Sequence, residues 1–365
     1  MTKPLPTDHF ERPSSAMQVR AVDGLPAAID DVAAVAAPTH RFLRHGWFAA
    51  ALVAYGGRAR TLVASLGEVP QVALPLVRRG PAVLGLAAVP GSYWPFRGVP
   101  ARVDAPEEAY RTLLSALARE VRVLRWGPVY DDDPVLSQLL VAARAAGWVA
   151  IDRWVARSFR LDMAALAADG GWPRGSTLRK NRFHEKHLAA HGALDWQFVS
   201  GPDWSEDLFA ALAGVEERSW IAARTDGQDA KFTKAGHGAF WQAAARDPAL
   251  AAMTQAAVLR IDGQAMAFSF DLDAGTLKYA IANSYDPAVG KHSPGKLLYY
   301  RNLVRSLGRG IEAVDWGAGD GGYKTTIGAV PGPAIRDWLL VRPGLSAAVA
   351  RLLADRWRRS GHAEE

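Results

Sequence analysis

Apolar residues recur along this chain at two spacings, and each change of spacing marks a predicted element. In the first half, residues 26–37 and 41–55 carry apolar positions at helical intervals, the second through Phe42, Leu43, Trp47, Leu52 and Tyr55. Residues 59–66 and 71–77 are β-prone and flank Gly67-Glu68-Val69-Pro70, which reads as a hairpin. An apolar run at 82–89 follows. Residues 106–120 return to helical spacing through Ala109, Leu113, Leu114 and Leu117. A strand at 121–126, a helix at 134–146 opened by Pro134 and stopped by Gly147, and a long β-prone run at 148–161 complete this half.

The second half repeats the pattern. Residues 176–192 read as a helix with Ser176 at its N-cap and Gly192 as its stop. A strand at 194–199, a long helix at 204–223 and a helix at 238–246 follow. Three β-prone runs, 253–261, 265–272 and 277–284, are joined by turns at Asp262-Gly263 and Asp273-Ala274-Gly275. A loop with Pro287, Gly290, Pro294 and Gly295 leads into a helix at 296–307, a strand at 311–316, a glycine-rich turn to Tyr323-Lys324, a strand at 335–341 and a terminal helix at 345–359. Alternating strands and helices predict an α/β (α+β) fold, and the shared order of the halves predicts a duplication. The expected division is a disordered tail at 1–20, domains at 21–162 and 163–342, and a basic amphipathic helix with its tail at 343–365.

With 365 residues the chain is long enough for two domains, and 49% hydrophobic residues predict a substantial core. No apolar run approaches the roughly 18 residues of a membrane span. The polar, proline-bearing N-terminus lacks a signal core, so a cytoplasmic protein is expected. The absence of cysteine excludes disulfides, thiolate zinc sites and a cysteine nucleophile, and no metal site is predicted. A net charge of +6 suits an anionic partner (a phosphorylated co-substrate, a nucleic acid or an anionic membrane) or serves solubility alone.

The loop from Asp286 to Lys296 is the strongest chemical candidate. A strand, a glycine-bearing basic loop and a helix start bring backbone N–H groups and positive charge to one place, where a phosphate can bind. The alternative is an ordinary β-to-α connection. The ordered set YDPAVGKHSPGKLLYYRNLVRSLGRGIEAVDWGAGDGGYK, with LRKNRFHEK and ERSW upstream, resembles the acetyltransferase-like domain of the CelD group in the GNAT superfamily of acyl-CoA-dependent acyltransferases. The resemblance covers about residues 175–328. The first half is loosely similar to the degenerate partner domain of such proteins, and FemABX aminoacyltransferases share the tandem arrangement. The usual Gln/Arg-x-x-Gly-x-Gly/Ala pattern is not intact here.

That resemblance implies tandem GNAT-like domains, each a mixed, mostly antiparallel sheet flanked by helices. It implies acyl-CoA as co-substrate, no permanently bound cofactor, and direct attack by an amine acceptor. Gly290, Lys291, Ser293, Gly295 and Lys296 become the cofactor loop. The proton acceptor is sought in Asp315, Asp320, His292 or Glu217, with Glu216 close to the same helix face. Tyr323 would protonate the leaving thiolate, and Lys324 would hold a phosphate or carboxylate. Each of these has a plainer reading as a turn, strand-end or surface residue. The acceptor side takes Tyr93, Trp94, Phe96 and Arg97 of the segment GSYWPFRG, with Trp220 and Tyr285. Those aromatics would line a pocket for an acyl chain or lipid base, or plug the first domain's core.

The basic residues Arg179, Lys180, Arg182 and Lys186 would meet a phosphate or RNA, or form a solvated helix face. The terminal helix, with Arg351, Arg356, Arg358 and Arg359 set against leucines, would lie on a membrane surface or dock on the protein itself. The most specific expectation is long-chain acyl transfer to a sphingoid base at the inner face of the membrane. Nucleic acid is not the expected partner. The rivals are a FemABX-like transferase using aminoacyl-tRNA and a non-catalytic scaffold in envelope or exopolysaccharide assembly.

Overall fold

The computed structural model describes residues 16–219, 230–233, 236–319 and 323–361, without the side chains of Tyr323 and Thr326. Its strands are β1 (Met17–Asp23), which the sequence pattern does not predict, β2 (Ala59–Leu66), β3 (Val69–Arg78), β4 (Leu86–Ala88), β5 (Val123–Tyr130), β6 (Val149–Asp162), β7 (Leu194–Ser200), β8 (Thr254–Ile261), β9 (Gln264–Ala274), β10 (Leu277–Tyr285), β11 (Ala313–Ala318) and β12 (Val330–Val341). These 12 strands form one sheet in the order β1-β2-β3-β4-β5-β12-β6-β11-β10-β9-β8-β7. Reading that order backwards exchanges β1–β6 for β7–β12, so the duplication is written into the topology. The parallel pairs confirm it, because β4 runs parallel to β5 and β10 parallel to β11. The remaining ladders are antiparallel.

The centre of the sheet departs from two domains lying side by side. β12, assigned by sequence to the second domain, pairs with both β5 and β6 of the first. β6 in turn pairs with β11. Each half thus completes the other. Asp337 on β12 is fully buried and accepts from Arg125 of β5 (2.7 Å) and Arg153 of β6 (2.8 Å), which ties the exchange in charge as well as backbone. The boundary at 162/163 follows the repeat but not the sheet. Residues 17–20, expected to lie in a tail, instead belong to β1, which begins at Met17 and pairs along β2.

The largest apolar core lies between the halves. Phe42, Trp47 and Phe48 of the first half pack among Val215, Phe240, Trp241, Phe268 and Phe270 of the second. A separate core under the helices Glu107–Glu120 and Pro134–Ala145 belongs to the first half and is completed by Leu340 of β12. No helix among the described residues is long and apolar enough to cross a membrane.

Candidate active site

β10 and β11 are paired only from Leu277 to Tyr279 and from Ala313 to Asp315. Past that point β11 shifts register against β6, between Asp315 and Ala318. β10 carries a bulge against β9 at Ala280–Ala282 and runs on to Tyr285. Two parallel strands therefore diverge, and among the described residues the β11-facing edge of β10 has no strand partner from Ala280 to Tyr285. A bulge beside such an opening re-aims the backbone.

The chain leaves β10 through Asp286, whose carboxylate accepts from the Ala288 N–H (3.0 Å) and from Arg218 (2.6 Å). A 3₁₀ turn, Pro287–His292, ends at Ser293 in the left-handed region (φ 51°), and the helix Pro294–Gly308 begins at once. Gly295 sits against the strand it has just left. A Cβ there would lie 2.9 Å from both Asn283 Oδ1 and Tyr285 Cδ1. The first N–H groups of this helix have no carbonyl one turn back, and they carry the positive end of its dipole. Lys291 and Lys296 are exposed beside them. Gly290, Lys291, Ser293, Gly295 and Lys296 are thus brought together, and Tyr285 is their floor. The helix is held to the sheet by Asn302, which donates to Asp271 (2.6 Å) and Ser269 (2.8 Å) of β9. Buried Lys278 neutralises that corner through Asp273 (2.6 Å) and Asp271 (3.5 Å).

His292 is half-buried, its ring 5.8 Å from that of His187 and 5.3 Å from that of His191. Partial burial, then His191, His187, His184 and Lys291, hold its pKa below the ordinary histidine value.

The other expected groups lie in separate environments. Asp315 is fully buried. One oxygen accepts from the Gly317 N–H (2.7 Å) and Tyr130 (3.2 Å), and the other from Arg160 (2.9 Å). The Lys324 ammonium donates to the carbonyls of Trp316 (3.1 Å), Ala318 (3.1 Å) and Gly319, closing the glycine-rich turn from inside. Glu217 is exposed and Glu216 is the buried one. The Glu216 carboxylate accepts from the N–H groups of Lys231 (2.9 Å) and Phe232 (2.8 Å), yet burial raises its pKa. Consecutive helical residues point about 100° apart, and here Glu216 faces inward while Glu217 faces out. Trp220 and Asp320 lie outside the described residues, as does the Tyr323 side chain.

The segment 91–98 divides in the same way. Trp94 and Arg97 are buried, Phe96 is half-buried against the inter-half core, and Tyr93 is exposed. Trp94 donates to Tyr130 (2.7 Å), and its ring fills the space a side chain at Gly317 would need. Arg97 donates to Tyr279 (2.8 Å) and Asp132 (2.8 Å) and stacks on Tyr130. Arg160 joins Asp132 (3.1 Å) to Asp315. Burial pushes Tyr279 up to about 12 and Tyr130 well above the usual range, so both phenols are neutral donors and acceptors. This network locks a first-half loop onto both strands where they part. Tyr93 instead meets the Lys231 ammonium (4.1 Å) and the His237 ring (4.8 Å), and His237 bonds Tyr55 (2.9 Å). Tyr130, Arg160, Lys231 and His237 are absent from any sequence motif, and only their meeting from separate elements marks them.

Residues 175–325 match the family model for the acetyltransferase (GNAT) domain. No curated protein sequence matches the chain. Among solved structures, FemX is similar over 92% of this chain and 100% of its own, with a TM-score of 0.61 and 10% identity. The C-terminal domain of a protein described as a lysylphosphatidylglycerol synthetase from Agrobacterium fabrum is similar over 93% of this chain and 99% of its own, at 0.56 and 15%. L-PGS from Bacillus licheniformis is similar over 88% and 96%, at 0.51 and 14%. At these identities the likeness is one of fold. The α/β class and the tandem GNAT-like arrangement expected from the sequence are what the chain adopts.

Proposed function

We propose that this chain is an N-acyltransferase that joins an activated acyl group to an amine at the divergence of β10 and β11. The observation that carries the reading is the seat of Gly295. It places the first turn of the helix Pro294–Gly308 against the end of a strand whose facing edge lacks a strand partner among the described residues. A donor pyrophosphate would sit on that turn between Lys291 and Lys296, and β10 amides would hold the carbonyl oxygen as charge develops on it. The amine nitrogen attacks the thioester carbon, the C–N bond forms and the C–S bond breaks. The amine proton passes to a base and the thiolate takes a proton. We assign the base to His292, neutral at pH 7 by its lowered pKa, and the acid to Tyr323. The acceptor would enter past Tyr93 and Lys231.

Acyl-CoA is the donor this geometry supports first. The sphingoid-base reading loses its main support, because Trp94 and Arg97 are committed to the buried network rather than lining an open pocket. A second donor, aminoacyl-tRNA, is favoured by one observation. Arg179, Lys180, Arg182 and Lys186 are exposed on the helix Gly175–Leu188, which packs beside the donor loop.

Titration calorimetry with CoA and with bulk tRNA at physiological salt separates the donors. CoA binding together with acceptor-dependent release of free CoA from an acyl-CoA supports the first. Binding of tRNA alone, lost in R179E/K180E, transfers the reading to the second. Neither ligand binding overturns both.

A further inference from the structure

We propose that the terminal helix Leu345–Arg359, with the connection between β3 and β4, docks this protein on an anionic lipid bilayer. The inference rests on surface chemistry and is independent of the donor assignment.

The helix lies on the sheet the wrong way round for an ordinary surface helix. Its small residues face inward: Ala347 and Ala354 are buried against β6. Its far end is fastened there by Arg153, which stacks on Trp357 (4.0 Å) and donates to Ser360 (3.0 Å). Its leucines and Val349 face out. Leu345 is 89% exposed and Leu352 85%, with Val349 and Leu353 also exposed. Positions 345, 349, 352 and 353 form one stripe at helical spacing. Arg351, Arg356, Arg358 and Arg359 are exposed around it, and Asp355 is the only acidic residue in the helix.

A second apolar point leaves the same end of the sheet. Val83, 73% exposed, and Leu84 form the tip between β3 and β4. Leu86 pairs with Val123, and Val123 with Val341, so the tip and Leu345 emerge from strands about 10 Å apart. Exposed Arg58, Arg78, Arg79, Arg122 and Arg144 surround that end. Arg58 and Arg78 also line an open cavity of about 560 Å³ there, in which Arg60 is paired with Asp23 and Glu120.

Two partners can cover exposed leucines ringed by arginines. A second copy meeting this face by two-fold symmetry would set the arginine cluster against itself, with Asp355 as its only acidic complement on the helix. An anionic bilayer supplies acyl chains for the stripe and phosphates for the arginines at once.

The test is vesicle flotation of the full chain, with phosphatidylcholine alone and with added phosphatidylglycerol. Binding is expected only with the anionic lipid, and it should weaken as salt rises. L352E/L353E should lower it at least about tenfold while leaving the melting temperature unchanged, since both side chains are exposed. V83D/L84D should lower it as well, and full binding by that variant removes the tip from the surface. Equal binding to neutral vesicles, or no binding by a monomer, overturns the proposal. A concentration-dependent dimer abolished by L352E/L353E overturns it in favour of a second copy.

Discussion

Three aspartates in a row make three different attachments. Asp131 accepts from Arg336 (3.0 Å), Asp132 from Arg97 and Arg160, and Asp133 caps the helix Pro134–Ala145 while bonding His40 (3.1 Å). At this scale a carboxylate's role is set by its donors, and Asp315 is the decisive case. D315N leaves Arg160 without its main counter-charge beside buried Tyr130, and should cost about 3 kcal/mol of stability. Activity per folded molecule should keep its pH profile, and a displaced profile would return Asp315 to the chemistry. Glu216 gives a pH prediction with a definite sign. Its folded pKa is raised by burial, so its contribution is fully present below the ordinary glutamate range and is lost as pH rises through the folded pKa. The melting-temperature difference between wild type and E216Q, followed from about pH 4 to about pH 7, should therefore move against the wild type. A constant difference would mean that the carboxylate is not desolvated.

Elements meet the proposed donor through one close approach. The helix Pro294–Gly308 can begin against β10 because residue 295 has no side chain. G295A forces Asn283 or Tyr285 aside, or lifts the helix start off the strand. The overpacking should cost about 1–2 kcal/mol of stability. The displaced first turn should weaken donor binding about tenfold or more. Calorimetry with CoA checks it, and unchanged affinity would place the donor elsewhere. The helix's far attachment, Asn302 to β9, is remote from this change and should keep the variant folded.

Over the whole molecule, the exchange of β6 and β12 makes the halves one folding unit. A chain ending at residue 329 lacks β12 and exposes the facing edges of β5 and β6 along their length. It also leaves Arg125 and Arg153 without Asp337. That truncation should lose cooperative unfolding and solubility, although it retains all of residues 175–325. A soluble product with a sharp thermal transition would show instead that the halves are separable.

Much of this was legible in the sequence. Period-2 and period-3.6 patterns located most strands and helices, because burial of one face is recorded residue by residue along an element. The glycine, proline and lysine positions of 286–296 marked the turn into the helix Pro294–Gly308, where the proposed donor would sit, since the backbone geometry required there is local. The exchange of β12 was not legible, because both halves present similar edges and the choice between them depends on partners more than 150 residues away. Nor was the division of the polar residues. Asp315 and Lys324 stand out in a motif, but the donors and acceptors that occupy them come from β5, β6 and the turn itself. The outward leucines of the terminal helix were open in the same way. Amphipathicity identified its two faces, and only packing of the alanines on β6 decided which of them meets water.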